Sequence, residues 1–279
     1  MIALEPPTVA SLPTREQVLP QARRENFTVA SAIVGRRRAR HLMAIYGFAR
    51  LVDDVGDESP GDRDALLDLV ELELSGVFAE AGAPRPRHPL MQALAVTVRE
   101  CGLPRPPFER LIEANRVDQV VSRYETFEQL LDYCRLSAAP VGQLVLGIFG
   151  AATPERVALS DRVCAGLQVV EHLQDIAEDH RRGRVYIPRE DLARFGCGEQ
   201  DLDSEPPSAP LQALIEFESA RARALLSSGA PLARTLPPAP RIAVAGFAAG
   251  GLRALDALAP GAPGRLGYAR HLVRTVAGR

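Results

Sequence analysis

Lysine is absent from this 279-residue chain, so all 33 of its basic residues are arginine. With abundant alanine and 23 prolines, that absence reads first as a composition bias, although a well-placed guanidinium does hold phosphate through two parallel contacts. Charge of one sign is not in excess. The net charge is −2 and the pI about 6.2, which leaves no electrostatic footprint for DNA or RNA, and no nucleic-acid partner is expected. Cysteine is sparse: Cys101, Cys134, Cys164 and Cys197 stand far apart with no paired spacing. That spacing argues against a zinc site or a disulfide frame and predicts buried free thiols. Long apolar runs are missing too, since residues 140–152 and 242–252 are too short to cross a bilayer. The opening MIALEPPTVASLPTREQ has neither a basic start with an apolar core nor an arginine-rich amphipathic pattern, so no secretory signal is expected. A cytoplasmic protein, soluble or peripheral to a membrane, is the expectation.

Two acidic stretches stand out against this background. In LVDDVGDE, Asp53, Asp54, Asp57 and Glu58 follow an apolar run that includes Leu42, Ile45, Tyr46 and Phe48 at helical spacing. At about 100° per residue, Asp53 and Asp57 lie about 40° apart on the helix surface, and Tyr46 and Arg50 share their face. Like charges four residues apart repel, so the helix gains nothing from them unless a cation or ligand compensates. Alone, this stretch reads equally as a solvated helix end running into Ser59, Pro60 and Gly61. The second stretch, EHLQDIAED, repeats the pattern with Glu171, Asp175 and Asp179, over about 80° of arc and about 12 Å of rise on one helix. Oxygen ligands of this kind suit Mg²⁺, which keeps waters and bridges protein carboxylates to substrate phosphates.

With 46% hydrophobic residues, the chain can bury a core as one large domain or two ordinary ones. Residues 1–22, with four prolines up to Pro20, read as a loose arm. From residue 23 to 279 helical periodicity dominates, and strand-like alternation is scarce. Periodic segments fall near 26–57, 61–80, 89–101, 108–134, 138–150, 154–181, 208–228, 240–258 and 266–277, separated by proline and glycine clusters. The expectation is an all-α, single-domain bundle around a central cavity. The small residues 137–142 suggest a break near Gly142, read as close helix packing or as the wall of an apolar pocket. After the second acidic stretch, RRGRVYIP reads as a helix ending at Gly183 followed by a short extended piece. Its arginines either pair with the nearby carboxylates or, with metal, clamp a diphosphate, with Arg184 and Tyr186 reaching inward. His172 lies off the acidic arc and reads as a packing or surface residue. Arg36, Arg37, Arg38 and Arg40 read as a solvated run or as a patch for anionic lipid at a membrane surface.

The motifs ENFTVAS (25–31), AIYGFARLVDDVGDE (44–58), RYETFEQLLDYCRLSAAPVG (123–142) and GLQVVEHLQDIAEDHRRGRVYIPREDL (166–192) resemble the squalene/phytoene synthase family of head-to-head prenyl synthases. They run in the family's order from about residue 23 to 258 and are most similar to the bacterial hopanoid-pathway branch of squalene and hydroxysqualene synthases. The resemblance implies a helical isoprenoid synthase fold in which Mg²⁺ on two aspartate boxes draws off the diphosphate of a prenyl substrate, presqualene or farnesyl diphosphate, or the C20 geranylgeranyl diphosphate of a phytoene synthase. The matching metal positions are Asp53, Asp57, Asp175 and Asp179, with Glu171 where relatives carry asparagine. Tyr46 and Arg50 match the tyrosine and diphosphate-contacting arginine before the first box. Gln168, Arg184 and Tyr186 match substrate-site positions of the second, while Asn26 and Tyr124 are further substrate-binding candidates; Asn26 serves equally well as a helix cap. Gln174 and Ala139 depart from the family's arginine and asparagine. No glycine-rich dinucleotide fingerprint is present, and quenching by water would need no NADPH, so none is expected. Hand-off to other squalene-pathway enzymes is implied as well. A noncatalytic descendant would be marked by lost acidic ligands, and here all four aspartates are present.

Overall fold

The computed structural model describes residues 7–23, 34–80 and 82–258. Among them there is no strand, only an isolated bridge between Arg123 and Val185; the helices are all α or short 3-10 turns. The chain separates into two compact units, residues 1–120 with 143–152 and residues 121–142 with 153–279.

The first unit is organised on α1, Arg36–Asp57, which packs against α2, Arg63–Val77, α3, Pro89–Cys101, and α4, Pro106–Val120. Its apolar positions recur every three to four residues, and Leu42, Ile45, Phe48, Leu51, Val52 and Val55 are all sealed from solvent. The rings of Phe48 and Phe108 meet edge to face at 5.2 Å, joining α1 to α4. Helix α1 stops because Glu58 leads into a loop turning at Gly61, φ 90°. Arg63 reaches back to donate to the Asp57 and Ser59 carbonyls at 2.8 and 3.1 Å, placing a cation on the negative end of the helix. Before α1, the segment 9–23 forms short helical turns that bury Leu12, Val18 and Ala22.

In the chain that follows, α5 is Phe127–Ser137, α6 Ala139–Ile148 and α7 Pro154–Gln174. Beyond them come α8, Ile176–Arg181, α9, Arg189–Phe195, α10, Ala209–Gly229, α11, Leu232–Thr235, and α12, Pro238–Leu258. The second unit is built on the α7/α10 pair, with α5, α9 and α12 against it. Glycine permits that approach: a Cβ at Gly229 would stand 2.7 Å from the Leu159 carbonyl oxygen and 2.5 Å from Val163. Between α9 and α10 the buried carboxyls of Asp191 and Glu218 share the guanidinium of Arg221 at 2.5 and 2.9 Å, and the rings of Phe127 and Phe217 cover that cation. Burial raises the Glu218 carboxyl to about 8, with Asp191 adding to the rise and Arg221 opposing it.

Several boundaries differ from the periodic reading: within the segment read as 26–57, α1 begins at Arg36, after Gly35 at φ 83°. The predicted helix 108–134 is divided at 121–126, where Val185 and Arg189 donate their backbone amides to the Ser122 and Tyr124 carbonyls. Long-range partners replace intrahelical ones there, and Thr126 caps the next helix by accepting from the Gln129 amide. The predicted helix 154–181 breaks at Asp175, φ −105° and ψ 13°. The predicted break near Gly142 lies instead at Ala138, and Gly142 sits inside α6. A Cβ there would overlap Ser160 Oγ and stand 2.6 Å from Cys164 Sγ, so close packing accounts for the glycine. The four cysteines are free thiols, and burial pushes Cys134 up to about 12, far from the thiolate a metal needs.

Candidate active site

Each unit presents one of the two acidic boxes, and each is described within its own unit. In the first, Tyr46, Arg50, Asp53 and Asp57 all lie along α1. Tyr46 is buried, while Arg50 places Nε 2.7 Å from Asp54 Oδ1 and Nη2 3.5 Å from Glu58 Oε1. The geometry with Asp54 is that of an ion pair rather than an aligned hydrogen bond. Asp54 is therefore the buried counter-charge that holds Arg50, and burial raises its carboxyl despite that cation.

Asp53 turns the other way. Its Oδ1 accepts from Asn115 Nδ2 of α4 at 3.2 Å. Crowding by protein pushes its carboxyl up to about 7; the Asn115 hydrogen bond opposes this, the charge of Asp57 adds to it, and Arg50 opposes. The side chain nevertheless keeps open surface, so it occupies a recess that water reaches rather than sealed core. Asp57 is half-buried one turn on.

The second box straddles a helix junction. Gln168 and Glu171 lie in the last turns of α7, Asp175 is the junction residue, and Asp179 lies in α8. The winding is nearly continuous, since Asp175 N donates to Glu171 O at 3.0 Å and Asp179 N to Asp175 O at 2.8 Å. Glu178 and Asp179 fall in the first turn of α8, where partial positive charge favours them. Asp175 is raised by crowding and by the charges of Asp179 and Glu178, though it too keeps open surface.

Of the two readings of His172, packing or surface, the structure shows packing. Only 7% exposed, its ring stacks on Tyr186 at 3.8 Å and 14°, with Gln168 Nε2 3.3 Å from its Nε2 and Asp179 Oδ2 3.8 Å from its Nδ1. Tyr124 and Tyr133 complete a buried aromatic cluster around Tyr186, with centroids 5.6 to 5.7 Å apart. Tyr124 joins it because the 121–126 segment pairs with the chain after Gly183, a contact that helical periodicity has no means to signal. Of the arginines after the box, Arg182 pairs with Glu178 at 2.7 Å and Arg181 lies 3.9 Å from Asp203; Arg184 is partly buried beside the cluster's Val185–Tyr186 segment. Asn26 lies outside the described residues.

Among the described residues, no group of three or more His, Cys, Asp or Glu gathers closely enough to hold a metal ion by itself. Each box instead offers hard carboxylate oxygens in pairs, on surface that water reaches, with crowding and mutual repulsion left to be compensated. That donor set fits a cation such as Mg²⁺, which takes one or two protein carboxylates and completes its shell with water and phosphate.

All described elements are thus helical, and each unit carries a carboxylate box, one of them beside a buried aromatic cluster. Residues 21–265 match the squalene/phytoene synthase family, and the chain belongs to it. Its relatives include the hydroxysqualene synthase of Rhodopseudomonas palustris, 39% identical over 76% of this chain and 71% of that protein. That of Zymomonas mobilis is 36% identical over 74% and 69%. Among solved structures, squalene synthase HpnC from Alicyclobacillus acidocaldarius is 42% identical with a TM-score of 0.78, covering 90% of this chain and 96% of that one. A dehydrosqualene synthase shares the fold, with a TM-score of 0.80 at 24% identity. The family is one of prenyl-transferring enzymes of isoprenoid biosynthesis, and among the described residues no helix is long and apolar enough to cross a membrane.

Proposed function

We propose that the chain is a Mg²⁺-dependent synthase that converts presqualene diphosphate and water to hydroxysqualene and diphosphate, in the hopanoid branch of the family. The observation that carries this reading is the second box, where Asp179 stands 3.8 Å from His172 and that ring stacks on the buried Tyr186. Its immediate support is the identity of 36% to 39% to proteins named hydroxysqualene synthase.

Asp53 and Asp57 in the first unit, and Asp175 and Asp179 with Glu171 beside them in the second, would each hold metal. Bound there, Mg²⁺ supplies charge neutralisation for a departing diphosphate. Arg50 and Arg184 take diphosphate oxygens, Arg50 already extended by Asp54 and Glu58. Tyr46, buried one turn before that arginine on α1, and Asn26 and Gln168 act on the substrate side. The carbon–oxygen bond breaks with its electron pair going to diphosphate, leaving a cyclopropylcarbinyl cation that rearranges. The buried cluster of Tyr124, Tyr133 and Tyr186 keeps bulk water away from its side of the site. One water then adds its oxygen to the rearranged carbon and releases a proton, so no hydride donor is consumed.

A second reading, condensation of two farnesyl diphosphates to presqualene diphosphate or squalene, is favoured by the likeness to a structure named squalene synthase. The test is a product assay with Mg²⁺ and without NADPH, offering presqualene diphosphate and farnesyl diphosphate separately. Hydroxysqualene from the first alone supports the proposal. Presqualene diphosphate from the second replaces it with the condensing reaction, and silence in both returns the question to a C20 substrate or a noncatalytic descendant.

A further inference from the structure

The first acidic box is gripped from outside its own helix. Asn115, 7% exposed on α4, donates from Nδ2 both to Leu111 O and to Asp53 Oδ1, each at 3.2 Å. The Leu111 carbonyl can only accept, so the amide has one sensible orientation: its nitrogen faces Leu111 O and, beside it, Asp53. The opposite side of the same amide lies on Gly56, where an added Cβ would overlap Asn115 Oδ1 and stand 3.0 Å from its Cγ. One turn further along α4, Gln119 Nε2 donates to Gly56 O and to Asn115 O, both at 3.0 Å. An apolar side chain would fill the space at 115 without the cost of desolvating an amide. The amide is justified by its partners, and apart from its own helix those partners belong to the box.

We propose that Asn115 and Gln119 form a clamp of positioning residues for the first acidic box, Gln119 fixing the backbone at Gly56 and Asn115 fixing the rotamer of Asp53. The inference rests on the reading of Asp53 as a metal-holding carboxylate. Leu111 O takes one hydrogen of the Asn115 amide and thereby aims the other at Oδ1. That contact leaves Oδ2 and the second lone pair of Oδ1 for a cation, so the carboxylate meets its metal already oriented.

The test uses the full-length protein with Mn²⁺ as probe, its binding followed by electron paramagnetic resonance in the presence of inorganic diphosphate, alongside thermal melting and steady-state kinetics. Asn115→Leu keeps the approximate volume and removes the donor; its Mn²⁺ affinity is expected to fall about 10- to 100-fold, the range for lost outer-shell support, with the melting transition retained. Asn115→Met gives the same loss through a more adaptable side chain, and Gln119→Met a smaller one. A purely structural role would instead lower the melting temperature and leave Mn²⁺ affinity in the folded protein unchanged, which overturns the clamp. Should the Asn115 variants fail to fold, Gln119→Met decides by the same criterion. Asp53→Asn measured in parallel separates the two levels. Lost binding there with wild-type binding in Asn115→Leu removes the clamp alone, whereas wild-type binding in Asp53→Asn removes the metal reading of Asp53 and the clamp with it.

Discussion

The two acidic boxes repeat one spacing, Asp53 to Asp57 and Asp175 to Asp179, on differently supported backbones. The first lies at the end of an unbroken helix of 22 residues, its loose carbonyls and one carboxylate held by Arg63, Asn115 and Gln119 from neighbouring helices. The second sits across a helix junction at Asp175 and leans on a stacked His172 and Tyr186. A helix end lends rigidity only where other elements satisfy its last carbonyls. A junction can aim carboxylates by itself, but it depends on side-chain packing to stay put.

Replacing an aspartate in either box should show what they share. Asp53→Asn and Asp175→Asn are each expected to lower product formation by at least about 10²- to 10³-fold, the scale for losing one group that stabilises transition-state charge. The far-UV circular dichroism should remain helical, since neither carboxylate carries the core. Near-normal turnover in one variant alone would break the equivalence of the boxes.

Packing behind the boxes should separate them next. Gly56→Ala drives a methyl into Asn115, at a cost of about 1 to 3 kcal/mol for overpacking, offset in part by the better helix propensity of alanine. A fall in melting temperature together with weaker Mn²⁺ binding is expected. Gly229→Ala in the second unit meets the fixed Leu159 carbonyl and should destabilise comparably, without altering Mn²⁺ affinity in the protein that remains folded.

The buried Glu218 carboxyl gives the second unit a pH response of its own. Its folded value, about 8, lies above the ordinary 4.5, so the folded state holds a proton that the unfolded chain releases in that interval. The stabilisation is complete below about pH 4.5 and is lost as pH rises toward 8, at up to about 1.4 kcal/mol per pH unit. Chemical denaturation at pH 5.5, 6.5 and 7.5 should show this decline, and Glu218→Gln should flatten it. An unchanged slope in that variant would assign the decline to other groups.

The smallest effects sharpen the reading of the basic tail. Arg182 and Glu178 form an exposed pair, so Arg182→Gln should cost under about 1 kcal/mol and leave kinetics unchanged. Arg184→Gln should raise KM for the prenyl diphosphate, and equal kinetics in the two variants would remove the clamp role given to Arg184.

The α1 core and the glycine stop at Gly183 were legible in the chain, because helical periodicity and positive φ are local properties. The all-α class followed from the same signals, and the family from four motifs in order. Glu171, Asp175 and Asp179 were legible as a repeat, but the break between them was not. The bonds at Asp175 still run in helical register, so the residue pattern carries no interruption. The division at 121–126 was not visible, because its cause is pairing with residues 185–190, far along the chain.

Sequence alone thus determined which residues carry charge, which faces are apolar, and that two carboxylate pairs exist at the spacing of one helical turn. Tertiary structure decided that Asp54 holds Arg50 through its Nε, that His172 lies against Tyr186, and that Asn115 rather than any neighbour in the chain holds Asp53. The physical reason is range. Periodicity and capping act over about four residues, whereas a hydrogen bond between Asp53 and Asn115 depends on how α1 and α4 pack, and no local pattern encodes that distance.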